Sequence, residues 1–221
     1  MNELPAAANS AKEFNTEAYW NKVYEKEISL GIDNRSDPLG WDLYMSVIKR
    51  GDRILDFGCG RCEFLQYICE HMLIDAYGVD HSSVALEYAY KKNHNLKLID
   101  DIDKWPEWLK APVFDVITFI HSAEHFEQPE IIIRKLMGYL KPGGVFVFTL
   151  PIDDMEWHEH FKIWKIEDAV DFVADINCWS KIIYRKEVVV LPPYRGYKVP
   201  TKIGHPDGTA IKHAVVFLKK E

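Results

Sequence analysis

Four histidines fall on two loops where a proton could be taken from a bound molecule: His121 and His125 on one, His158 and His160 on the other. Imidazole titrates near neutrality, which suits a general base. Upstream, the apolar run Ile54-Leu55 ends in Asp56 and turns through Gly58 and Gly60. Glycines there let a ligand lie close to the main chain, and the helix that follows offers unpaired N–H groups to an anion. Roughly 20 residues on, Val79-Asp80 ends a second apolar run, where a carboxylate can take both hydroxyls of a ribose. The turn and the acid together read as a site for a nucleoside-bearing cofactor. For catalysis the candidates are His125, His158 and His160. The bland alternative is an amphipathic segment 157–164 that packs Trp157, Phe161 and Trp164 inward and leaves its histidines solvated.

Positioning these groups takes alternating strands and helices. Strands are expected at 53–57, 76–79, 96–99, 113–120 and 145–150, separated by helices at 61–72, 82–93 and 129–140, with a short helix at 106–110. The first, fourth and fifth strands are nearly continuous apolar runs, as in a parallel sheet covered on both faces. Such spacing gives right-handed βαβ units and a doubly wound α/β layer. Ahead of it, Asn15 or Thr16 can cap a helix over 14–27 that shows Tyr19, Trp20, Val23 and Tyr24 on one face, and a second helix runs over 39–49. Behind it come a helix at 166–176 and strands at 182–191 and 214–218, joined by a long Pro/Gly-rich loop at 192–211. Residues 1–13 are small and polar and are expected to be disordered; 14–221 form one domain.

Composition bounds the partners. The chain has 221 residues and a net charge of −7, so nothing recommends nucleic acid. No apolar stretch is long enough to span a membrane, and the N-terminal residues lack a signal-peptide pattern, so the expected compartment is the cytoplasm. Cys59, Cys62, Cys69 and Cys178 make no disulfide framework in a chain this size. Asp153, Asp154, His158, Glu159 and His160 include metal-ligand types, but without a third ligand at defined spacing no metal is expected. Oligomeric state is left open, with a homodimer among the options.

Five segments in order, LDFGCG (55–60), GVDHS (78–82), DDIDKWP (100–106), FDVITFIHSAEHFEQP (114–129) and LKPGGVFVFTLP (140–151), resemble the class I S-adenosylmethionine-dependent methyltransferases, in particular the small-molecule branch that includes the ubiquinone-biosynthesis type. The resemblance covers 14–151. It implies a Rossmann-like seven-stranded sheet with helices on both faces and a C-terminal antiparallel edge hairpin, with S-adenosyl-L-methionine as cofactor. Asp56, Gly58, Cys59 and Gly60 would border its methionine part, Asp80 its ribose, His81, Asp101 and Ile102 its adenine. Main chain at Ile120 and His121 would meet the sulfonium end, Tyr19 and Trp20 would act as a lid, and Arg35 would face the carboxylate. Relatives usually carry glycine where this chain has Cys62. The expected reaction is methyl transfer to a small polar acceptor, first an oxygen of a saccharide or related metabolite. N-methylation of a small amine and a non-catalytic cofactor-binding subunit are the alternatives. A nicotinamide-linked dehydrogenase is disfavoured because Glu63 stands where the third glycine of Gly-x-Gly-x-x-Gly would fall.

Overall fold

The computed structural model of the chain describes residues 13–32, 41–152, 159–176, 180–190 and 211–220. Helix α1 (Glu17–Ser29) and the short α2 (Trp41–Met45) precede an alternation of β1 (Arg53–Phe57), α3 (Glu63–His71), β2 (Asp75–Val79), α4 (Ser83–Lys92), β3 (Lys97–Ile99), β4 (Phe114–Phe119), α5 (Pro129–Tyr139) and β5 (Leu140–Ile152). Helix α6 (Ile166–Ile176) and strands β6 (Ser180–Val190) and β7 (Ile211–Lys220) follow. The sheet order is β3-β2-β1-β4-β5-β7-β6. It is parallel through β5, and β7 and β6 add an antiparallel edge.

Strand pleating sorts the core into two layers, because successive side chains point to opposite faces. Leu55, Ile117, Phe146 and Phe148 join a cluster with Ile133, Leu136 and Met137 of α5. Their neighbours Ile54, Val116 and Val147 join another with Phe64, Leu65 and Ile68 of α3 and with Tyr44 of α2. The result is a mixed α/β, Rossmann-like sheet. Its order reverses at β1, between β2 and β4, the place where open α/β sheets form a crevice beyond the carboxyl ends of their strands.

Three expectations need correcting. The helix expected over 39–49 is regular only over Trp41–Met45. Beyond it, Ser46, Val47 and Ile48 bond to carbonyls three residues back, which tightens the chain into turns. The helix expected at 106–110 is a 3₁₀ turn, Glu107–Leu109. Strand β5, expected to begin at 145, starts at Leu140 and absorbs Pro142-Gly143-Gly144. Its register against β4 shifts between Phe114 and Val116 to accommodate them. The long loop expected at 192–211 lies outside the described residues except for Ile211, which opens β7.

Candidate active site

The β1–α3 turn is tied to the tip of β2 by short-range hydrogen bonds. Gly58 and Cys59 both donate backbone N–H to the Val79 carbonyl, at 2.8 and 3.0 Å. Gly60 N–H donates to Asp80 Oδ2 at 2.8 Å, and Ser82 N–H to Asp80 Oδ1 at 2.9 Å. Asp80 therefore does not cap α4. Ser82 does that, accepting from Ala85 N–H at 3.2 Å. Burial pushes the Asp80 carboxyl up, against the pull of these two N–H groups and of His81. Gly58 has φ +74, and a Cβ there would fall 2.2 Å from Ser122 Oγ, so only glycine lets β1 and the loop after β4 approach this closely.

Beneath that turn Asp56 is buried and accepts from Thr118 Oγ1 at 2.7 Å. Burial pushes its carboxyl up to about 7 despite this bond.

A cleft of about 570 Å³ opens over the strand ends, within the ~300–1,000 Å³ usual for small-molecule sites. Of the expected residues it brings together Trp20, Gly58, Asp80, His81, Asp101, Ile102, His121 and His125. Tyr19, Asp56, Cys59, Gly60, Ile120 and His160 are not among the residues that line it. Arg35 and His158 lie outside the described residues. Asp101 is occupied locally, since its Oδ1 accepts from Asp103 N–H at 2.8 Å and caps the 3₁₀ turn Ile102–Lys104.

The far wall is assembled from distant parts of the chain. Asn15 donates to the Glu159 carbonyl at 2.6 Å, Tyr19 donates its hydroxyl to the Glu159 carboxylate, and Phe161 N–H reaches the Glu124 carbonyl at 3.0 Å. The Tyr19 hydroxyl is pushed up by burial and by its bond to Glu159. Trp20 meets His125 edge-on at 5.0 Å between ring centroids, and His160 flanks the same imidazole at 5.2 Å. Helix α1 is held here through Asn21, whose Oδ1 accepts from Ser82 Oγ at 2.7 Å and Val84 N–H at 3.2 Å.

His125 Nδ1 lies 3.2 Å from the Glu159 carbonyl. A carbonyl can only accept, so this contact places the proton on Nδ1 and the lone pair on Nε2. Burial holds the imidazole below its ordinary range, against the pull of Glu124. His121 has φ +49, a strained conformation for a residue with a Cβ, and its N–H donates to Thr149 Oγ1 at 2.9 Å.

Glu124 was missed by sequence reasoning. It is buried, its Oε2 has no hydrogen-bond partner among the described residues, and it offers a ligand atom within 4.8 Å of others from His125 and His160. Its adjacency to His125 was visible, but its burial was not. Tyr24 also lines the cleft, with its hydroxyl pushed well above the ordinary range by burial and by Asp80. Its position four residues after Trp20 on one helix face was the available signal.

Comparison with known proteins gives a consistent picture. Residues 38–174 match the family model described as a methyltransferase domain. N-methyltransferase 4 of Papaver somniferum is 25% identical over 174 residues, covering 75% of this chain and 48% of that protein. The ubiquinone biosynthesis O-methyltransferase of Coxiella burnetii is 29% identical over 108 residues, covering 47% of this chain and 45% of that protein. The chain thus spans about half the length of these two relatives. Among solved structures, phosphoethanolamine N-methyltransferase 2 of Haemonchus contortus, in complex with phosphomonomethylethanolamine and S-adenosylhomocysteine, superposes with a TM-score of 0.67 at 13% identity, covering 91% of this chain and 58% of that one. At that identity the likeness speaks for the fold.

Proposed function

Since the chain belongs to the methyltransferase-domain family, we propose that it transfers a methyl group from S-adenosylmethionine to a small polar acceptor, first an oxygen of a saccharide or related metabolite. The observation that carries this reading is one cleft lined by two chemically different sets of residues. Gly58, Asp80 and Ile102 make one set, and His121, His125 and Trp20 the other. The residues fit the cofactor. Gly58 leaves no side chain between the ligand and the main chain, Asp80 is buried beside the turn with lone pairs beyond its two N–H bonds, and Val79 and Ile102 supply apolar surface for a flat ring.

When bound, the cofactor supplies a methyl group already activated on a sulfonium. The protein must align the acceptor, exclude water and remove its proton. His125 is the base, because it is neutral near pH 7 and its tautomer leaves Nε2 able to accept. The Glu159 carbonyl orients it, and Trp20 and Phe161 wall the acceptor. His160 flanks the His125 ring from behind the cleft lining, and His158 stays a candidate by sequence position.

N-methylation of a small amine is a second reading, favoured by the buried Glu124 carboxylate, which would attract a protonated amine to the acceptor site. The N-methyltransferase among the relatives supports it. Titration calorimetry with S-adenosylmethionine and with NAD, followed by turnover on sugar, phenol and amine acceptors, tests both. Binding of NAD but not S-adenosylmethionine would sink the cofactor assignment, and turnover of amines alone would select the second reading.

A further inference from the structure

The glycine turn contains a pair of thiols that the reading above does not use. Cys59 and Cys62 close one turn, with Cys62 N–H donating to the Cys59 carbonyl at 2.8 Å, and their sulfurs stand 3.3 Å apart. Both lie over Gly78 of β2, where a Cβ would come 2.8 Å from one sulfur and 3.2 Å from the other. Gly78 thus makes the room that the pair occupies.

Cys62 is an unexpected residue on backbone grounds. It precedes α3 with φ 58 and ψ 30, a left-handed conformation that is strained for a residue bearing a Cβ. Its side chain makes no capping bond to the helix. Glycine would remove the strain, and serine or aspartate would supply a cap. What cysteine alone brings to this position is a second sulfur in reach of the first.

We propose that Cys59 and Cys62 are a dithiol–disulfide switch built into the cofactor turn, oxidised by low-molecular-weight disulfides when the cleft is empty. Cys59, the more exposed of the two at 8% against 0%, attacks the outside disulfide and releases one thiol. Cys62 then attacks the mixed disulfide at the Cys59 sulfur and releases the second. The protein loses two protons and two electrons, and the small disulfide takes them up as two thiols. A covalent S–S bond is about 2.05 Å, so the sulfurs must close by roughly 1.2 Å. That movement draws in Gly60 and Arg61, which lie between the cysteines, and pulls Gly60 N–H from Asp80. Burial pushes the Cys59 thiol up, and at Cys62 the lowering contact with Cys59 is outweighed by burial and nearby carboxylates, so little thiolate is present in the closed turn and exchange waits on its opening.

The consequence for the cofactor rests on the function proposed above, whereas bond formation does not, and the test separates them. Full-length protein with Cys69 and Cys178 replaced by serine is incubated with oxidised glutathione, with and without S-adenosylhomocysteine, then examined by intact and peptide mass spectrometry and by calorimetry. The expected result is loss of two hydrogens on the peptide holding both cysteines, slowed by the ligand and reversed by dithiothreitol. Affinity for S-adenosylhomocysteine should fall at least about tenfold in the oxidised form. Cys62→Gly and Cys62→Ala should both fold and bind the ligand, and, with no thiol left to resolve the mixed disulfide, both should retain glutathione on Cys59 instead of forming the internal bond. Absence of the bond in the unliganded protein, or a bond that leaves affinity unchanged, overturns the switch. If the reduced protein does not bind S-adenosylhomocysteine at all, the cofactor assignment fails, and the cleft-closing half of the switch fails with it.

Discussion

The residues proposed to hold the cofactor and those proposed to hold the acceptor are tied together in different ways. Around the proposed cofactor site the partners are near in sequence or adjacent in the sheet. Gly60 and Asp80 are 20 residues apart, and Gly58 and Val79 are joined through backbone on neighbouring strands. Around the proposed acceptor site the ties join segments that share no strand: His125 to Glu159 across 34 residues, Tyr19 to Glu159 across 140 and Asn15 to Glu159 across 144. The first group takes much of its shape from the sheet, through backbone bonds such as those from Gly58 and Cys59 to the Val79 carbonyl, which do not depend on any side chain. The second is made of single hydrogen bonds and ring contacts between segments with no shared strand, so each lost contact loosens a wall.

The largest effect that tests this contrast is on the base. His125→Ala should lower turnover by about 10²–10⁴ while leaving S-adenosylhomocysteine affinity within about twofold, because general-base removal touches only the chemical step. In the native enzyme the acid limb of the rate profile should fall below the ordinary histidine range, since burial lowers this imidazole and a protonated base is inactive. The Glu124–His125–His160 cluster makes chelation a sharp control. With His125 as base, removing divalent ions should change the rate by less than about twofold, and a larger loss would assign the cluster to a cation instead.

Next in size is Asp80→Ala, which removes two N–H bonds and the ribose carboxylate together. Affinity for S-adenosylmethionine should drop by roughly 10²-fold, about 2.7 kcal/mol, read by calorimetry. A change of twofold or less would mean the ribose lies elsewhere.

Tyr19→Phe is a smaller perturbation of the long-range wall. One hydrogen bond to Glu159 is lost, and the acceptor KM should rise by about fivefold with thermal stability nearly unchanged. Loss of cofactor affinity without a change in KM would place Tyr19 with the cofactor residues.

How legible each group was follows from the same contrast. Apolar runs and helical periodicity located β1 at 53–57 and α6 at 166–176 and put Asp80 just past β2, because those features depend on local sequence. The Thr16 cap of α1 was legible too, as one of two candidates. Glu124, by contrast, looked like an ordinary loop acid. Nothing in the sequence brings residues 159–161 against it, and its burial is a product of tertiary contact. His121 was expected to use its main chain, but its positive φ arises only once the loop after β4 must pass Gly58. The shortening of α2 likewise follows from bonds that tighten after Met45, which helical periodicity over 39–49 does not reveal.

The subtlest difference between the two groups should appear in stability rather than activity, through Asp56 beneath the glycine turn. Its carboxyl titrates near 3.8 when unfolded and at about 7 in the folded chain. Between those values the folded state holds a proton that the unfolded state has released, so this group stabilises the fold at low pH and the contribution declines as pH rises through that window. Asp56→Asn keeps an oxygen to accept from Thr118 Oγ1 and removes the titration. Melting of the unliganded protein should therefore fall more steeply between pH 5 and pH 7 in the native chain than in the variant, by roughly 1.4 kcal/mol per pH unit at most. Equal slopes would mean that Asp56 stays charged in the fold, with water or a cation beside it, and the proposed cofactor site would then be less tightly sealed than its short-range bonds imply.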